Sequence, residues 1–155
     1  MTPRRATRED IPGMHRVRLA VRENRLTTLA IREEHYIPAI EATGRGWVID
    51  KHGVVVAFAI GNSDTGNIWA LFVHPDHEGQ GHGRALQHVM VGWLFEQGLT
   101  RLYLTTEPGT RAQRFYENTG WFFVEIDSKG EAVYERYSTD ASRLRGRQQH
   151  PRRRS

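Results

Sequence analysis

Residues 67–98 constrain this chain most. An apolar run, NIWALFV (67–73), leads into a turn with glycines at 79, 81 and 83, and a helical pattern follows at once. Leu86, Val89, Met90, Trp93 and Leu94 recur at the spacing of one helix face, and Gly98 supplies the stop. A strand feeding a helix through such a turn belongs to a layered α/β architecture. The turn leaves the first N–H groups of the helix without partners, aimed at one spot where the helix dipole adds partial positive charge. Phosphate is the guest expected there. No P-loop lysine follows, and G-x-G-x-G is not the G-x-G-x-x-G of a dinucleotide fold. The glycines alone therefore fit an ordinary turn and an anion site equally well.

The flanking segments supply the rest of a sheet. TPRRA reads as a short strand. Thr7 and Asp10 form a capping box for a helix running to about Arg25, with Ile11, Met14, Val17, Leu19 and Val21 near helical period. REEHYIPAIEATG predicts a second helix, disturbed or divided by Pro38 and ended by Gly44. RGWVID and GVVVAFAIGN read as a strand hairpin, and NIWALFV, apolar on both faces, as a fully covered central strand. RLYLT is a strand. Thr110 and Gln113 cap a helix that carries Ala112, Phe115, Tyr116 and Thr119 and stops at Gly120. WFFVEID and AVYERY form a closing hairpin around SKG. The expectation is an α/β (α+β) fold, a mixed central sheet of six to seven strands with four helices.

Composition decides the class of partner. With 155 residues, 38% apolar and 26% charged, the chain reads as a soluble domain. It has no run of about 20 apolar residues and no apolar leader segment. No cysteine is present, which fits a cytoplasmic location and excludes disulfides and thiolate metal sites. His74, His77 and His82 share one loop without an H-E-x-x-H pattern, so no metal is expected. The net charge of +4 is misleading. Residues 140–155 hold six Arg and one Asp, a local +5, which leaves −1 for residues 1–139. We expect a single domain over 1–139 and a basic, disordered tail over 140–155. The body therefore does not favour a nucleic-acid partner, and unpaired arginines bind any polyanion weakly.

Two motifs carry a resemblance. Gln80-Gly81-His82-Gly83-Arg84-Ala85 resembles the Q/R-x-x-G-x-G/A pyrophosphate motif of the GNAT superfamily of acyl-CoA N-acyltransferases, and AQRFYENTGW (112–121) is similar to its A-x-x-F-Y-x-x-x-G-F/W motif. The separation of the two motifs also matches that family. His82 departs from it by replacing an aliphatic residue, and Gly109 by replacing a frequent Asn.

The resemblance implies acetyl-CoA as co-substrate and an N-acetyltransferase acting by direct attack on a primary amine of a small molecule or peptide. It implies splayed central strands that form the acyl-CoA cleft. Backbone N–H groups from Gln80 to Arg84 would hold the pyrophosphate, with Ala85 and Ala112 completing the cofactor site. Leu71, Phe72 and Val73 would pair with the pantetheine, the Val73 N–H would polarise the thioester carbonyl, and Tyr116 would be the general acid.

Glu107, Glu34 and His35 are candidate bases, and none is required. Arg18, Arg22, Glu23, Asn24 and Arg25 could surround an acceptor with a carboxylate, or could be a solvated charged face. Trp47 and Trp69 fit either a site wall or the core. A tRNA-directed acetyltransferase, which would need the basic tail, and a non-catalytic acyl-CoA-binding module are the alternatives. Two copies could pair through the WFFV hairpin.

Overall fold

The computed structural model describes residues 2–21 and 30–139. A short strand β1 (Arg4–Arg5) precedes helix α1 (Ile11–Ala20), and helix α2 (Tyr36–Glu41) leads into strands β2 (Gly44–Lys51), β3 (Val54–Asn62) and β4 (Ile68–Val73). Helix α3 (His82–Glu96), strand β5 (Arg101–Thr106), helix α4 (Arg111–Asn118) and the hairpin β6 (Phe122–Ile126) and β7 (Ala132–Tyr137) complete the order. Strands β1–β2–β3–β4 form one antiparallel sheet in that order, and β5–β7–β6 form a second. Among the described residues these seven strands and four helices make the mixed α/β arrangement the sequence predicts.

The central hairpin is legible in its alternation. In β2, Trp47 and Ile49 enter one core and Val48 the other, because successive side chains of a strand point to opposite faces. Leu86, Met90 and Leu94 of α3, all fully buried, fill the first core. Met14 and Val17 of α1, with Tyr36 and Ile40 of α2, fill the second against Phe58 and Ile60.

The two sheets touch at the start of β4. Asn67 bridges Tyr103 in parallel, and the Tyr103 N–H donates to the Gly66 carbonyl at 3.0 Å. Gly66 has φ +83°, and a Cβ there would lie 2.4 Å from the Arg101 carbonyl oxygen. Only glycine lets the strands approach at this apex. Beyond it β4 and β5 diverge.

Four local expectations change. The capping box at Thr7 and Asp10 holds a 3₁₀ turn (Arg8–Asp10), and α1 itself ends at Ala20, with Val21 already extended; residues 22–25 lie outside the described residues. Pro38 stands in the first turn of α2, where its missing N–H would have had no helical partner, so it neither disturbs nor divides that helix. Gly44 does not end α2. It opens β2, where a Cβ would lie 1.9 Å from the Gly61 carbonyl oxygen. Strand β4 is not fully covered, because Leu71, Phe72 and Val73 remain half-open where β5 has left.

Candidate active site

The divergence of β4 and β5 opens a cavity of about 690 Å³. Its walls come from β4 (Trp69 to Val73), β5 (Leu104, Thr105, Thr106), the loop and start of α3, and α4 through Ala112, Phe115 and Tyr116.

The α3 end is made of main chain. Gly79 and Gly81 adopt left-handed φ values of 76° and 83°, which carry the chain from the 3₁₀ turn Pro75–His77 into α3 with Gly81 as N-cap. The first helical hydrogen bond runs from Ala85 N–H to Gly81 O. The N–H groups of His82, Gly83 and Arg84 consequently have no acceptor among the described residues, as a helix start requires. Gly83 is helical, and a Cβ on it would lie 3.4 Å from the Phe115 ring. Its openness toward the cavity, rather than its φ, sets it apart. Arg84 is exposed on the cavity wall.

His82 is buried, and its ring Nε2 lies 3.1 Å from Gln80 Oε1. Burial, then the neighbouring His77, hold this imidazole below its ordinary pKa, so it stays neutral. Gln80 and Ala85 lie off the cavity wall, Gln80 with its side chain turned to His82.

Strand β4 offers its outer edge. His74 N–H donates to Val56 O of β3 at 2.8 Å, and Phe72 is in register with Phe58. Antiparallel pairing alternates along a strand, so the Phe72 main chain faces β3 while the N–H groups of Leu71 and Val73 face the gap left by β5. Phe72 reaches the cavity by its side chain.

Thr110 caps α4 by accepting from Gln113 N–H at 3.2 Å, while Gln113 Oε1 accepts from Gly109 N–H at 2.7 Å. Gly109 sits at φ 79° in this closed turn. On α4, Tyr116 is 7% exposed and packs edge-on against Phe115 and Trp121 at 5.4 and 5.9 Å. It belongs to the core and lines the cavity as well. Burial pushes its phenol pKa up, so the group holds its proton throughout the neutral range.

Other sequence candidates separate. Trp69 is on the cavity wall, whereas Trp47 is core, packed edge-on against Trp93 at 5.6 Å. Glu107 is exposed on the loop after β5, and Glu34 and His35 lie on the turn before α2; none of the three lines the cavity. Arg22, Glu23, Asn24 and Arg25 fall outside the described residues. Sequence reasoning missed Thr106, whose hydroxyl is buried on the cavity wall without a partner, and the Arg111–Glu78 ion pair at 2.7 Å, both residues of which line the cavity. Alternation along RLYLTT could have marked Thr106; nothing local marks the ion pair. Among the described residues no group of three or more His, Cys, Asp or Glu could hold a metal ion, and no helix is long and apolar enough to cross a membrane.

The family model described as acetyltransferase (GNAT) family matches residues 8–121, which span both motifs and the whole cavity. The chain belongs to the GNAT acetyltransferase family. It is 30% identical over 90 residues to the uncharacterized N-acetyltransferase ycf52 of Pyropia yezoensis, a stretch that is 56% of this chain and 51% of that protein. The chain thus spans about half the length of the curated relatives it matches. The ribosomal-protein-S18-alanine N-acetyltransferase of Escherichia coli superposes on this GNAT chain with a TM-score of 0.70 at 19% identity, covering 88% of this chain and 92% of that one. For yncA of Salmonella typhimurium, solved with its cofactor acetyl-CoA, the values are 0.72 and 18%, over 88% and 93%. These structures share the fold.

Proposed function

We propose that this GNAT-family acyltransferase moves an acetyl group from acetyl-CoA to a primary amine of a small molecule or peptide, by direct attack, in the cytoplasm. The observation that carries the reading is the convergence of three features on one cavity. These are the unpaired N–H groups at the start of α3, the open edge of β4, and a protonated Tyr116.

Each feature fits one part of coenzyme A. The N–H groups of His82, Gly83 and Arg84 would bind the pyrophosphate, and a Cβ at Gly83 would narrow the approach. Leu71 and Val73 would pair with the pantetheine amides as a neighbouring strand would. Bound there, the cofactor supplies an activated acetyl thioester. The Val73 N–H would polarise its carbonyl oxygen. Tyr116 would give its proton to the departing sulfur; burial keeps the phenol protonated until then, although it also makes it a weaker acid than a free tyrosine. The residues on the wall that could act as bases, His77, Glu78 and His82, belong to the turn before α3 and its first position. No dedicated base is required, because the ammonium proton of the acceptor can leave through water.

The test is to incubate the full chain with acetyl-CoA and a broad amine panel, following free thiol by absorbance and acetylated amine by mass spectrometry. We expect thiol release matched one for one by acetylated amine. Tight acetyl-CoA binding with no amine acetylated across the panel would contradict a transferase and favour an acyl-CoA-binding module.

A further inference from the structure

Arg18 is 3% exposed and has no carboxylate partner among the described residues. Arginine is almost never this buried unless paired. Its guanidinium carbon lies 4.7 Å from the Trp69 ring centroid, 4.8 Å from that of Phe72 and 5.7 Å from that of Tyr36. Three rings thus surround the cation, and such contacts strengthen as water is excluded. Two nitrogens, Nε and Nη2, are buried without any hydrogen-bond partner. Desolvation pulls the group below its ordinary pKa, and the Tyr36 hydroxyl offsets part of this. Glu33 acts on His15 and Tyr36 but is not among the influences on Arg18.

The identity of the two free nitrogens is informative. Nε and Nη2 share one edge of the guanidinium, the edge that grips a carboxylate with two parallel hydrogen bonds. Arg8 uses the same two atoms on Glu41, at 2.6 and 2.8 Å. Among the described residues, Arg18 presents that edge to no acceptor. Its location also matters. Trp69 and Phe72, against which it stacks, line the cavity, and so does Val21, the residue just past the end of α1. The guanidinium thus lies against two rings that line the cavity, and a rotation of the half-buried Trp69 would expose it there.

We propose that Arg18 is a carboxylate-binding residue, and that the amine accepted at this end of the cavity carries a carboxylate. The second clause rests on the transferase reading; the first does not. A carboxylate entering beside Val21 would take the Nε–Nη2 edge bidentately, with Trp69 and Phe72 stacked on the guanidinium. Arg→Lys is not conservative at such a site, because an ammonium lacks the paired edge.

The probe is sodium propionate at about 0.1 M, compared with sodium chloride at the same concentration, in thermal unfolding of the full chain. A ligand that binds only the folded state raises Tm, here by about 3 °C in wild type. We expect no difference between the two salts in Arg18→Met and less than half the wild-type difference in Arg18→Lys. An equal shift in wild type and Arg18→Met overturns the proposal, and so does no shift in wild type, an arm that requires no variant to fold. Where amines are turned over, each amino acid should show a KM roughly 10-fold below that of its carboxamide, with the ratio falling to about 1 in Arg18→Met. Equal ratios in the two proteins overturn the acceptor clause. Acetyl-CoA titration of the same samples separates the claims. Cofactor binding without a propionate effect defeats the carboxylate site alone, and a propionate effect without cofactor binding defeats the transferase reading alone.

Discussion

At the α3 end of the cavity the wall offers main-chain N–H groups of three consecutive residues, whereas at the α1 end Trp69 and Phe72 form the wall and pack on the Arg18 guanidinium, with Tyr36 of α2 beside it. Main-chain donors are indifferent to side-chain identity but demand particular backbone conformations, so they leave glycines in the sequence. Side-chain cages have the opposite property. They leave no local spacing, because Arg18, Tyr36, Trp69 and Phe72 meet only after the sheet has formed. The first kind of end suits a cofactor common to a whole family; the second suits an acceptor that differs between relatives.

Substitutions can break this contrast. Tyr116 lines the same cavity, and the largest effect should follow from Tyr116→Phe. Steady-state kinetics should show kcat lower by about 10³-fold, with acetyl-CoA affinity within about twofold of wild type. A change in affinity alone would make Tyr116 a packing residue.

Next comes Val73→Pro, which removes a donor that faces the gap while leaving the β3 ladder intact. We expect kcat to fall about 10²-fold in a folded protein. Phe72→Pro, one residue away, deletes a ladder hydrogen bond instead and should cost about 3 kcal/mol of stability by urea titration. Similar outcomes for the two would mean that the alternation of β4 has been assigned wrongly.

Gly66→Ala should be less damaging, about 2 kcal/mol by the same titration, since φ +83° and the close Arg101 carbonyl both oppose a Cβ. Its effect should reach both ends of the cavity equally, because Gly66 sets the apex from which the strands diverge.

The smallest effect concerns His82. Burial, with His77, lowers its folded pKa below the unfolded value of about 6.5. The unfolded chain therefore binds more protons as pH drops, and the stability contributed by neutral His82 is complete above about 6.5 and is lost below it. Unfolding midpoints measured from pH 7.5 to 5 should fall less steeply in His82→Leu than in wild type. Parallel curves would contradict a buried neutral imidazole.

The strands, α3 and α4 were legible because alternation, helical stripes and caps are local signals. The misreadings share a cause. NIWALFV is apolar on both faces, and a strand covered by helices reads the same as one that lines an apolar cleft. Pro38 and Gly44 read locally as helix breakers, but their effect depends on which turn they occupy and on how closely Gly61 approaches. The Gln80 motif marked the loop that opens α3 onto the cavity, whereas the contact between Gln80 and His82 depends on how deeply His82 is buried. Arg18 read as one of several charges near a helix end. Its lack of a partner became visible only with Trp69 and Phe72 around it.

The central claim is that the turn before α3 is a coenzyme A site, and isothermal titration with acetyl-CoA and with free coenzyme A tests it most directly, on wild type and on Gly83→Asp. Position 83 is helical and its Cβ direction is only in ordinary contact with Phe115, so the variant should fold. Its carboxylate would then meet the pyrophosphate with like charge. The account predicts wild-type binding near −8 kcal/mol, a micromolar dissociation constant, and no detectable binding by folded Gly83→Asp. Equal affinity in the two proteins, or none in wild type, would contradict it.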